Sequence, residues 1–214
     1  QLTGDPASGG RVDTIDKAIG CAWDAWCLGP GSVIYFYGTQ GGIFRLVPGG
    51  SPPLRMSQQI ERRLDDAVDL ESVRVEMAWD YRNHGLAVWT TPFDTAENGT
   101  NFFWEERTNA WWQDEYSRKE HCPLAVHVVD GPAADDRFIL LGGRDGYVRK
   151  LDDLAETDDG RVIDSYVYLG PIKTANVDDV LLRNMLTQMA GESGDAEYEV
   201  YVGKTPEESL ASSV

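Results

Sequence analysis

The chain has 214 residues, of which 42% are hydrophobic and 26% charged, enough to bury a core in one large domain or two small ones and too apolar for wholesale disorder. With 36 acidic residues against 19 basic ones the net charge is −17, which argues against a surface built to grip nucleic acid phosphates. No stretch approaches the ~18–20 apolar residues of a membrane helix, so a soluble chain with no membrane span is expected.

Seven Trp, nine Tyr and six Phe favour aromatic strands over a coiled coil. The 22 Gly and 10 Pro show no collagen-like period and read as turn punctuation. The chain opens on Gln1 with no basic-then-apolar leader, so a fragment or processed product without a secretory signal is expected. Cys21, Cys27 and Cys122 are odd in number and widely spaced, unlike a disulfide scaffold. Free thiols beside Trp23 and Trp26, in a reducing compartment, are the expectation.

Val33 to Tyr37 is β-branched and aromatic, Gly38 to Gly42 turns, and Ile43 to Val47 returns before Pro48-Gly49-Gly50. This predicts a hairpin whose glycines supply positive φ angles. After Ser51-Pro52-Pro53, Ser57 is placed to cap a short helix through Leu64, with Met56, Ile60 and Leu64 on one face. Leu86 to Thr90 is a strand, Pro92 to Thr100 a loop, Asn101 to Glu105 a strand, Arg107 to Asn109 a turn, and Ala110 to Trp112 a further strand. Phe138 to Leu141, the turn Gly142 to Gly146, and Tyr147 to Leu151 then repeat the form of the first hairpin. Hairpins recurring at intervals of roughly 40 to 60 residues suit stacked four-stranded blades, and a β-sandwich is the alternative.

The last third changes character. Val162 to Leu169 and Ala196 to Val202 alternate as strands, and Val180 to Met189 fits either a strand or a helical face. Together these suggest a small antiparallel sheet beginning near Gly160.

Chemical motifs are sparse. His84, His121 and His127 are the three imidazoles, with no HExxH or CxxC beside them, so the His121-Cys122 pair reads as the entry to a strand. No GxSxG nucleophile elbow is present, and the glycine turns lack the helix and Lys-Ser/Thr of a phosphate loop. Asp135-Asp136, Asp152-Asp153, Asp158-Asp159 and Asp178-Asp179 fit no calcium-loop spacing and read as a solvated rim, and nothing selects a carboxylate pair for glycoside hydrolysis. Trp23, Trp26, Trp104, Trp111 and Trp112 could stack on sugar rings or pack between blades. The sequon Asn98-Gly99-Thr100 matters only in a secreted chain.

The segments GDPASGGRV (4–12), GSVIYFYGTQGGIFRLVPGG (31–50), SQQIERRL (57–64), FFWEERTNAWWQ (102–113) and LLGGRDGYVRKLD (140–152) together resemble phage and prophage structural proteins. The resemblance is to the propeller-bearing proteins of the tail nozzle or head-to-tail connector, and it spans residues 4 to 153. It carries no invariant site. At roughly 45 residues per blade the chain is shorter than a closed ring, so the resemblance implies that further blades come from neighbouring subunits or from chain not present. An acidic lining would let DNA pass without the counterion release that holds it.

The sequence therefore predicts an all-β protein with propeller-type antiparallel blades over 1–159 and a smaller C-terminal antiparallel sheet over 160–214. The expected role is a non-enzymatic structural subunit of a phage tail or connector, located in the virion and assembled in the host cytoplasm. Its expected partners are other tail subunits in a homo-oligomeric ring, with DNA as passing cargo and neither cofactor nor metal. Phe103, Trp104, Trp111 and Trp112 are the residues expected to pack subunits together. A carbohydrate-recognising propeller or adhesin is the competing reading.

Overall fold

The computed structural model describes residues 18–163 except 50, 51, 134, 135, 153 and 156, together with 2–3, 9–12 and 16. The chain divides into two units, 1–163 and 164–214. The second unit, which contains the strands expected over 164–169, 180–189 and 196–202, lies outside the described residues.

The first unit is built of antiparallel strands in chain order. After a short ladder between β1 (Leu2–Thr3) and β2 (Arg11–Val12), the first sheet runs β3 (Cys21–Leu28), β4 (Ile34–Gly38), β5 (Ile43–Leu46) and β6 (Leu54–Arg55). The second runs β7 (Val73–Asp80), β8 (Gly85–Pro92), β9 (Thr100–Glu105) and β10 (Ala110–Asp114). The third runs β11 (Pro123–Val129), β12 (Phe138–Gly143) and β13 (Val148–Lys150), and a hairpin of β14 (Thr157–Asp158) and β15 (Arg161–Val162) follows. Every neighbour in each sheet is the next strand in the chain, a plain meander. The sheets are separate and do not close into a ring among the described residues.

The turns explain the spacing. Between β4 and β5, Gly38 N–H donates to the Gly42 carbonyl at 2.9 Å and Gly41 N–H to the Gly38 carbonyl at 3.0 Å, with Gly41 and Gly42 at φ +82° and +91°. The β12–β13 turn repeats that pattern: Gly143 N–H donates to Tyr147 at 2.9 Å, Gly146 N–H donates to Gly143 at 3.1 Å, and Gly146 has φ +81°. The two hairpins that look alike in sequence are thus closed by equivalent hydrogen bonds. The β7–β8 turn has no inner glycine; the Asp80 carboxylate accepts the N–H groups of Arg82 (2.8 Å) and Asn83 (3.2 Å) instead, an Asx turn.

Period-2 alternation then sends the second sheet's side chains two ways. Val75, Met77, Trp79, Leu86, Val88, Phe102 and Trp104 join Ala22, Ala25, Cys27, Tyr35, Tyr37 and Ile43 of the first sheet in one core. Tyr35 stacks on Trp79 at 5.2 Å between ring centres, and Trp104 meets Trp79 edge-on at 6.3 Å. Ala78, Ala87 and Trp89 turn the opposite way, and with Phe103 they meet Ile139, Leu141, Val126 and Val128 of the third sheet. The second sheet is therefore the middle layer of three, and all eight residues of β8 are buried. A strand covered on both faces needs a continuous apolar run, which Leu86 to Trp89 supplies.

The linking helix differs from expectation in its start. A 3₁₀ turn at Ser57–Ile60 leads into α1 (Glu61–Ala67), and Ser57 caps neither. Its hydroxyl is buried and accepts the Ile43 N–H at 3.0 Å, because that donor at the head of β5 is buried and has no ladder partner. Leu64 is fully buried in the first core, with Met56 and Ile60 beside it, so the predicted apolar face is present.

Two substitutions separate these effects. Ser57→Ala strands the buried Ile43 N–H and is expected to cost about 1–3 kcal/mol in urea unfolding. Gly85→Ala puts a methyl group into the Phe103 ring and the Trp104 carbonyl, an overpacking expected to cost about 1–3 kcal/mol. A loss below 0.5 kcal/mol in either variant, on the same order-of-magnitude scale, contradicts the corresponding contact.

Candidate functional site

The four aromatics expected to pack subunits occupy different environments. Trp104 lies inside the first core, 5% exposed, and its indole N–H donates to Asn109 Oδ1 at 3.0 Å. Phe103 lies against the core between the second and third sheets, and Trp111 against the first core. Trp112 is 57% exposed. Alternation along β9 and β10 accounts for the split, and of the four only Trp112 offers most of its ring to solvent.

The outer face of the first sheet is also apolar. Register places Trp26, Leu28, Ile34, Phe36, Phe44 and Leu46 on the side opposite Cys27 and Tyr35. Phe36 and Phe44 stack on each other at 5.5 Å and are buried, so the exposed apolar part of this face is Trp26 and Leu28, at 50% and 52%. The outer face of the third sheet is mixed: Ala125, His127, Leu140, Val148 and Lys150 share it by register.

The thiols are free, with Cys21 exposed and Cys27 and Cys122 buried. Burial pushes the Cys27 thiol up to about 12, so it is an inert packing group. Cys122 lies against Asn98 Oδ1 at 3.1 Å and accepts the Gly99 N–H at 3.2 Å. Asn98, the sequon residue, also donates its amide to the Tyr116 carbonyl at 3.1 Å.

His121 ends a 3₁₀ turn and is buried, with Cys122 leading into β11. Its Nδ1 is 2.9 Å from Asp158 and its Nε2 is 3.4 Å from Asp159. Ser117 also reaches this cluster, but its hydroxyl donates to Asp158 at 2.6 Å rather than to the imidazole, so the Ser, His and Asp are not ordered for nucleophilic attack. Arg149 holds Asp145 through both guanidinium ends, at 2.9 and 2.6 Å, and reaches Asp159 at 2.8 Å. The Asp158-Asp159 pair, expected as solvated rim, is thus a clamp that ties the β14–β15 hairpin to the third sheet. Among the described residues no group of three or more His, Cys, Asp or Glu is placed to hold a metal; Asp135, Asp153, Asp178 and Asp179 lie outside them.

A second charged group gathers where β3 meets the end of β7. Arg74 bonds Asp24 at 2.7 Å and Glu76 at 2.7 Å. Its guanidinium carbon lies 5.7 Å from the Trp23 ring centre, and that ring stacks on Phe93 at 5.9 Å with 18° between planes. Burial pushes the Glu76 carboxyl up, and Arg74 opposes the shift. Sequence reasoning passed over Arg74, Glu76 and Phe93. The available signal was the opposite-charge pair at i and i+2 on one face of an otherwise apolar strand.

The clamp predicts an acid transition. Hydrogen bonds from Arg149 hold the Asp145 carboxyl down at about 2, below an unfolded value of about 3.9. Its contribution is therefore complete above about pH 4 and is lost as the pH falls towards 2. Protection of the 157–162 hairpin amides, taken relative to the intrinsic exchange rate at each pH, should fall across that window in the wild type. Arg149→Gln, which removes the bonds to both Asp145 and Asp159, should show low protection already at pH 6; protection unchanged from wild type would contradict the clamp.

Comparison with known proteins supplies no relative: no family model, no curated protein and no solved structure matches this chain.

Proposed function

We propose that the chain is a non-enzymatic structural subunit of a phage or prophage tail or connector assembly, and that its meander sheets serve as propeller-type blades. The observation that carries the reading is the stacking of three consecutive meanders face to face. The opening strands β3 and β11 both lie against β7, the opening strand of the middle sheet. Blades succeed one another around an axis in this way, each first strand innermost.

A stack of this kind has two end faces, and the first sheet's end carries Trp26 and Leu28 half exposed. That apolar end suits a further blade, supplied in this reading by another copy in a ring. Trp112 on the outer strand β10 is the second expected contact. The net charge of −17 suits a conduit that lets DNA pass without retaining it.

The native mass of the full-length gene product, with negative-stain images of the same sample, tests the proposal. A ring of several copies with a central hole is expected, and a monomer at high concentration overturns it. The double variant Trp26→Glu/Leu28→Glu should dissociate the ring to monomers while leaving the far-ultraviolet circular dichroism unchanged. A ring that survives both charges would remove this face from the interface.

A further inference from the structure

The two interfaces inside the first unit run in one direction. Where the first sheet meets the second, the opening strand β3 contributes the small Ala22, Ala25 and Cys27, and β7 contributes the larger Val75, Met77 and Trp79. Where the second meets the third, β7 contributes the small Ala78 and β11 the larger Val126 and Val128. The Glu76 carboxyl also bonds the Val126 backbone there. Each opening strand thus turns small apolar side chains towards the next sheet, whose opening strand answers with larger ones. Small against large lets the layers approach and interdigitate.

The two outer faces carry the halves of a third interface of this kind. β3 turns Trp26 and Leu28 outward, each about half exposed. β11 turns out the exposed Ala125, and register sets Gly142 of β12 directly across from it. Leu140 and Val148 flank that low spot on the same face. A Cβ at Gly142 would lie 3.7 Å from the Ala125 Cβ, an ordinary contact, so packing within the third sheet does not call for glycine. Glycine inside a strand weakens it and often marks the close approach of another group.

We propose that the outer face of the third sheet is the docking surface for the first sheet of the next copy, with Trp26 seated over Ala125 and Gly142. This rests on the reading that another copy covers the first sheet's end, and it adds which surface that copy brings and in which direction. The small side of one copy meets the large side of the next, as β3 meets β7 and β7 meets β11 within the chain. Such a contact is heterologous, head to tail, and closes into a ring when its rotation allows. Two first-sheet ends pressed together would instead be isologous, would set large side chains against large, and would stop at a dimer.

The test compares the native mass of the full-length wild type with that of two double variants. Trp26→Glu/Leu28→Glu blocks the large side, and Ala125→Glu/Val148→Glu blocks the small side at two exposed residues. Each variant alone should run as a monomer with wild-type circular dichroism. Mixed in equal amounts, they should form a dimer of twice the monomer mass and nothing larger, because each keeps one intact side. Ala125→Phe fills the low spot without adding charge and suits a strand, so it should also stop the ring and keeps docking separate from folding. A ring that survives Ala125→Glu/Val148→Glu overturns this docking surface and leaves the ring reading standing. A dimer formed by that variant alone shows first-sheet ends pairing with each other and overturns the head-to-tail contact, as does a mixture that stays monomeric. A monomeric wild type overturns the ring reading and this inference with it.

Discussion

The sealing of the middle sheet on both faces is the constraint from which the rest of the first unit follows. β8 has no solvent face, so both sets of its alternating side chains must find an apolar partner. Leu86 and Val88 find it in the first sheet and Ala87 and Trp89 in the third. Both faces carry large rings. Trp79, Trp104 and Phe102 lie towards Tyr35 and Tyr37, and on the opposite face Trp89 and Phe103 pack with the small Ala78 and Ala87 against the third sheet. Burial of each large side chain contributes on the order of 1.5–3 kcal/mol, so both interfaces are substantial, and neither flanking sheet could be removed without exposing a full row of β8.

Polar groups are arranged to protect those two interfaces. Tyr116 accepts the Trp89 indole N–H at 2.9 Å, and Thr91 donates to the Pro123 carbonyl at 2.8 Å, so the far end of β8 is bonded to the chain that enters the third sheet. Arg144, from the β12–β13 turn, donates to the carbonyls of Pro92 and Glu97 and fixes the β8–β9 loop. The His121 clamp continues this line to the β14–β15 hairpin. Charge in this acidic protein is thus used locally as fasteners between successive elements, with arginines placed where two carboxylates meet.

The sequence made the local geometry readable and the long-range geometry much less so. Glycine-rich turns after aromatic runs located β4–β5 and β12–β13, and their shared pattern was visible as a repeat because turn hydrogen bonds depend on residues five apart at most. Ser57 shows the limit. Its position before an amphipathic segment looks like a cap, but a hydroxyl bonds whichever buried donor is nearest, and the unpaired Ile43 N–H lies fourteen residues earlier. The same applies to the second charged site. Trp23 and Phe93 are seventy residues apart in sequence and become neighbours only through the stacking of the first two sheets, which no local pattern encodes. Trp104 and Trp112 looked equivalent as aromatics near a turn, and strand alternation placed one in the core and left the other in solvent.

Amide hydrogen exchange along β8 tests the central claim most directly. If the middle sheet is sealed on both faces, the amides of Leu86 to Thr90 exchange only through global unfolding, at a free energy equal to that from denaturant melts. They should also be the slowest in the chain, with β13 at the rim of the third sheet well ahead of them. Exchange of the β8 amides at the rate of β13 would mean that one flanking sheet does not stay in place, and the three-layer account would fail.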